Sequence, residues 1–182
     1  MITTKKDLEE YLECDRRSLG RKNSKPVFSD VIWRFEILLR KYEYYYNNNS
    51  VFKYLYGILF RRESQRLGFT IPINVCDKGL AIVHYGTIVI SDGAKIGENC
   101  RIHEGVCIGA TNGEAQAATI GKNVFISTGA KLIGKVQIAD NVAIAANAVV
   151  VHDITEEGTT WGGVPAKKIS DNDSSANMQR MI

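Results

Sequence analysis

From residue 90 to residue 150 an aliphatic side chain returns at every sixth position. Ile90, Ile96, Ile102, Ile108, Ile120, Ile126, Leu132, Ile138, Ile144 and Val150 fill ten of eleven such slots, and only Glu114 interrupts them. Ile, Leu and Val make up 44 of the 182 residues, so a run of this kind is far outside chance. Small apolar residues such as Ala94, Cys100, Ala118 and Ala130 stand two places before the slots, and Gly or Ala often follows them. An α-helix cannot use this period, because six residues do not bring the chain back to the same face. An antiparallel sandwich would alternate with period two and vary its turns. What suits the pattern is a coil of short strands, each hexapeptide forming one flat side and its turn, with about 18 residues per triangular turn. The expected fold is mainly β, a parallel β-helix with aliphatic side chains stacked inside it. A strict step of 18 places Ile102, Ile120 and Ile138 in one stack and Ile90, Ile108, Ile126 and Ile144 in another.

The chain before residue 70 has a different texture. Residues 5–15 read as a short charged helix, and 30–46 carry Val31, Phe35, Leu38, Leu39 and Tyr42 at helical spacing, with Ser29 or Asp30 as the cap. A polar break at Asn47 to Ser50 separates this from a third helical stretch, 51–67, with Phe52, Leu55, Leu59 and Phe60 on one side. Gly68 and Pro72 close the helical part. The division expected is an α-helical segment over 1–69, the β-helix over 70–169, and a mobile polar tail over 170–182.

Composition narrows the function by exclusion. With 23 basic and 20 acidic residues the net charge is only +3, which gives no general attraction to nucleic acid or membrane. No apolar run approaches a membrane span, and the first residues lack a secretory core, so the cytoplasm is the expected location. Cys14, Cys76, Cys100 and Cys107 show no CxxC pairing; neither disulfides nor a metal site is expected.

The stretch IVHYGTIVISDGAKIGENCRIHEGVCIGAT and the exit GGVPAKKIS resemble the bacterial hexapeptide acyltransferases, and more narrowly serine acetyltransferase. The resemblance covers somewhat over half of the chain. It implies a left-handed β-helix, a homotrimer with active sites between subunits, acetyl-CoA as donor and a small hydroxyl-bearing acceptor. His84 aligns with the catalytic histidine of that family, and imidazole titrates in the range a general base needs. Extrapolating the repeat back by six from Ile90 puts His84 in an aliphatic slot, so either the coil shifts register there or the ring faces a cleft.

Further expectations follow from the same match. His103 joins His84 in one cleft, with Tyr85 beside them on the acceptor side; a plain surface position for His103 is the competing reading. Gly109 and Ala110 offer amides to the oxyanion. Thr128, Ala146 and Gly163 line the groove for the pantetheine arm, and Lys167 or Lys168 meets phosphate. The absence of a nucleophile motif such as GxSxG favours direct attack on the thioester. Two acids of serine acetyltransferase are missing, their positions being taken by Phe69 and Val83, and residues 112–121 lack that family's further histidine. These departures point to a sugar or polysaccharide hydroxyl as acceptor, in the manner of capsule-type enzymes. The alternative is true serine acetylation for cysteine synthesis, for which the terminal Met181 and Ile182 offer a sulfhydrylase-binding end. A scaffold without catalysis is the third reading.

Overall fold

In a computed structural model of the chain, described for residues 1–111 and 113–178, three helices precede fourteen short strands. The helices are α1 (Lys5–Ser18), α2 (Val31–Asn47) and α3 (Phe52–Leu67). The strands are β1 (Phe69–Thr70), β2 (Ala81–Ile82), β3 (Ile88–Ile90), β4 (Lys95–Ile96), β5 (Arg101–Ile102), β6 (Cys107–Gly109) and β7 (Thr119–Ile120). They continue with β8 (Phe125–Ile126), β9 (Lys131–Ile133), β10 (Gln137–Ile138), β11 (Ala143–Ile144), β12 (Val149–Val150), β13 (Thr160–Gly162) and β14 (Lys167–Ser170).

Successive strands fall in turn on three sheets, which is the triangular prism that the period of six predicts. One face is β1-β3-β6-β9-β12, the second β4-β7-β10, and the third β2-β5-β8-β11-β13-β14. Every pairing is parallel except β13 with β14. The fold is the mainly-β left-handed helix with N-terminal helices. Buried side chains from Leu19 to Ile154 form one continuous core running from the helices through the prism.

The stacks differ from those a strict step of 18 gives. Ile96 pairs with Ile120, Ile102 with Ile126 and Ile108 with Leu132, a step of 24. The chain leaves the coil as a loop around residues 113–116, and the polar Glu114 slot falls inside it. Below and above the loop the step of 18 returns, as in Ile90 with Ile108 and Ile126 with Ile144. The first coil exceeds the step of 18 by two residues, with Ile82 pairing Ile102. Ile82, fully buried, therefore occupies the aliphatic slot that simple extrapolation assigned to His84.

The first coil has no earlier coil to satisfy part of its backbone, and the helices supply the missing partners with buried charge. Asp15 Oδ1 accepts from the Gly79 and Leu80 N–H groups at 2.7 and 2.9 Å, and Glu36 Oε1 from Ile82 N–H at 3.0 Å. Arg40 donates to the carbonyls of Cys76 and Asp77 at 2.8 and 2.7 Å while pairing with Asp15 at 2.7 Å and Glu43 at 3.0 Å. Phe35 packs edge-on to Phe69 at 4.9 Å and stacks on Phe60 at 5.5 Å. Asp30 is the α2 cap, accepting from Trp33 N–H. On α3, however, Phe52, Leu55 and Leu59 are exposed, and only Phe60 of the predicted apolar side turns inward.

At the far end β14 runs back antiparallel along β13 and covers the last coil. The segment read as a mobile tail is seated over residues 170–178. Ser174 is buried, its hydroxyl donates to Asn123 O, and Ser174–Asn177 forms a 3-10 turn. Met181 and Ile182 lie outside the described residues. No helix among the described residues is long and apolar enough to cross a membrane.

Candidate active site

On four coils the chain turns from the third face to the first through the same corner, at residues 83–87, 103–106, 127–130 and 145–148, and the β13–β14 hairpin at 163–166 is hydrogen-bonded to Val149 just beyond the last of these. Because Ile82 fills the interior slot, His84 stands two residues beyond it and is exposed at the first of these corners. Val83 N–H donates to Ile102 O at 3.0 Å, which sets His103 on the adjoining coil. The two imidazoles meet edge to face, centroids 5.8 Å apart at 73°, and His103 in turn meets the Phe125 ring at 5.2 Å and 78°. The structure places the His84 and His103 rings side by side. Tyr85, 68% exposed, follows directly on the solvent side.

A residue that the sequence did not single out completes this corner. Glu104 lies beside the imidazole pair, its Oε1 accepting from the Thr128 hydroxyl at 2.6 Å, and one donor atom from each of His84, His103 and Glu104 falls within 4.8 Å of the others. The Thr128 hydroxyl bond holds the Glu104 carboxyl below its ordinary range, so it is a carboxylate at neutral pH. Partial burial, assisted by Arg101, pushes the His103 ring below its usual value, with Glu104 acting in the opposite sense. Burial at this corner thus favours the neutral form of the ring. The only sequence signal for Glu104 was its place next to His103.

Thr128, Ala146 and Gly163, expected along the coenzyme groove, lie on successive coils of this same corner. Asn147 N–H donates to Thr128 O, and Val149 N–H to Gly163 O, both at 2.9 Å. Gly129 has φ of 72°, and a Cβ there would stand 2.1 Å from Asn147 Oδ1, so no larger residue fits this turn. Two expectations are modified. The Thr128 hydroxyl is engaged by Glu104, and Lys168 is already paired with Glu156 and, at 2.5 Å, with Asp171. Lys167 is exposed beside it and has no ion pair among the described residues. Gly109 and Ala110 do not join the imidazoles within one chain: Gly109 ends β6 and Ala110 follows it, at the opposite edge of the first face. Phe69 is buried against Phe35 and supplies nothing polar to the corner.

The stacked hexapeptides and the paired corner define the class, a hexapeptide-repeat left-handed β-helix; the family model "Bacterial transferase hexapeptide (six repeats)" matches residues 117–152. Within that class the chain is serine acetyltransferase-like. A serine acetyltransferase of Synechococcus elongatus is 35% identical over 94 residues, which are 50% of this chain and 38% of that protein. The chain thus spans well under half the length of that relative. The solved serine acetyltransferase of Neisseria gonorrhoeae in complex with serine superposes with a TM-score of 0.71 at 26% identity, over 91% of this chain and 70% of that one. A serine acetyltransferase in complex with CoA has the same fold, with a TM-score of 0.68 at 22% identity over 91% and 71% of the two chains.

Proposed function

We propose that this chain is an acetyl-CoA-dependent O-acetyltransferase in which His84 is the general base. The observation that carries the reading is the pair of exposed His84 and half-buried His103 at the foot of a corner lined upward by Ala146, Gly163 and Lys167, because acyl transfer from CoA needs a base beside a long groove. His84 takes the proton of the acceptor hydroxyl while its oxygen bonds to the thioester carbon. The tetrahedral intermediate then expels the sulfur, and the thiolate recovers that proton from His84. A thioester is reactive enough that no acyl-enzyme is required.

The likeness to serine acetyltransferases supports serine as the acceptor, in preference to the sugar hydroxyl that the missing acids suggested. Phe69 and Val83 favour the sugar as a second reading, since neither residue can meet an ammonium group. Thiol release from acetyl-CoA, measured with serine and with a panel of sugar acceptors, tests both. Turnover with serine supports the first reading; turnover with sugars alone moves the assignment to the second, and none with either removes the acetyl-transfer reading. A trimer belongs to the same proposal, because Gly109 and Ala110 can reach an oxyanion at His84 only from a second copy.

A further inference from the structure

We propose that Glu104 is a positioning residue for His84, acting through His103: its carboxylate fixes the His103 ring and offsets the imidazolium that forms on His84 during transfer. This rests on His84 being the base. Three features of the corner support it. Glu104 Oε1 is anchored by the Thr128 hydroxyl at 2.6 Å, and the stem lies under Gly86, where a Cβ would stand 3.2 Å from Glu104 Cβ. Oε2 is shielded from solvent with no hydrogen-bond partner among the described residues, a costly state for a carboxylate oxygen. The facing donor is His103 Nδ1 at 3.9 Å, and a small turn of the soft terminal torsion closes that gap. Catalytic hydrogen bonds are commonly long in the empty site and tighten when substrate arrives.

The arrangement places charge where Phe69 and Val83 provide none. With Nδ1–H donating to Glu104 Oε2, His103 is held in one tautomer while it keeps its edge-to-face contact with His84. When His84 accepts the hydroxyl proton, the Glu104 charge stabilises the cation across the His103 ring, and Glu104 itself stays ionised throughout. The same three side chains could suggest a metal site. Their donors are spread over as much as 4.8 Å, whereas zinc bonds of about 2.0–2.1 Å draw tetrahedral donors to roughly 3.3 Å, so the spacing favours a hydrogen-bonded chain.

Glu104→Gln tests the idea with little disturbance, because Gln keeps the volume and the oxygen that accepts from Thr128. The charged and titratable groups facing His103 are Arg101 on its own strand, His84 on the coil below and Glu104, while the coil above presents the uncharged Phe125. In an NMR titration of the protein without substrate, E104Q should lower the His103 midpoint, since the one group favouring its charged form is gone. In kinetics at neutral pH it should lower kcat/KM by about tenfold or more, with CoA binding by calorimetry unchanged. An unmoved midpoint overturns the proposal, as does a moved midpoint with wild-type turnover. If the wild-type protein acetylates neither acceptor, the functional reading fails, while the titration still reports whether Glu104 governs His103.

Discussion

The role proposed for His84 rests on displacement by two residues: Ile82 takes the interior slot, and the imidazole is left at the corner facing solvent and His103. His84→Ala should therefore leave the fold and CoA affinity intact while lowering kcat/KM by about 10² or more, as steady-state thiol release against calorimetric CoA binding would show. Wild-type turnover in that variant would remove His84 as the base. His84 was legible from its flanking motif. Glu104 was not, because its anchor, Thr128, lies 24 positions on in the chain and is brought alongside only when the 113–116 loop leaves the coil. Lys168 shows the opposite failure, its apparent availability cancelled by Glu156 and Asp171 once β14 folds back on β13.

Helices α1 and α2 form the lid of the prism, and they do it with ions as well as apolar side chains. Arg40→Ala would leave Asp15 and Glu43 buried without their counter-ion and two carbonyls without a donor. A loss of about 3–5 kcal/mol in unfolding free energy is expected by denaturant titration. Glu36 offers a pH test at the same scale. Complete burial, aided by the nearby Asp15, pushes its carboxyl well above the ordinary value of 4.5. The unfolded chain ionises it near that ordinary value, so the folded state binds the extra proton. The contribution is complete below that value and is lost as pH rises through the raised one. Glu36→Gln keeps the acceptor for Ile82 N–H and removes the titration. Thermal midpoints measured from pH 6 to pH 9 should fall further for the wild type than for E36Q; parallel curves would refute the assignment. The helical hairpin itself was readable from the 3.6 period, but the inward charges of α2 were not, since nothing in a helical pattern announces unpaired strand ends opposite it.

In the molecule as a whole, one corner gathers the imidazoles, Thr128, Ala146 and Gly163, while Gly109 and Ala110 sit a full face away. Sedimentation should therefore show a trimer, and in mixed trimers a Gly109→Val copy should impair the His84 of its neighbour. A monomer that turns over acetyl-CoA at the full rate would exclude the shared site. The sequence alone determined the prism, because a six-residue aliphatic period has few other ways to bury itself, and it nominated His84 as the candidate base through the motif around it. Only the tertiary structure decided the stacking register, the seating of residues 170–178 and the place of Glu104. Each of these depends on where the chain departs from the repeat, at the long first coil, the 113–116 loop and the reversed β14, and a departure reveals what it brings together only when the coils are closed.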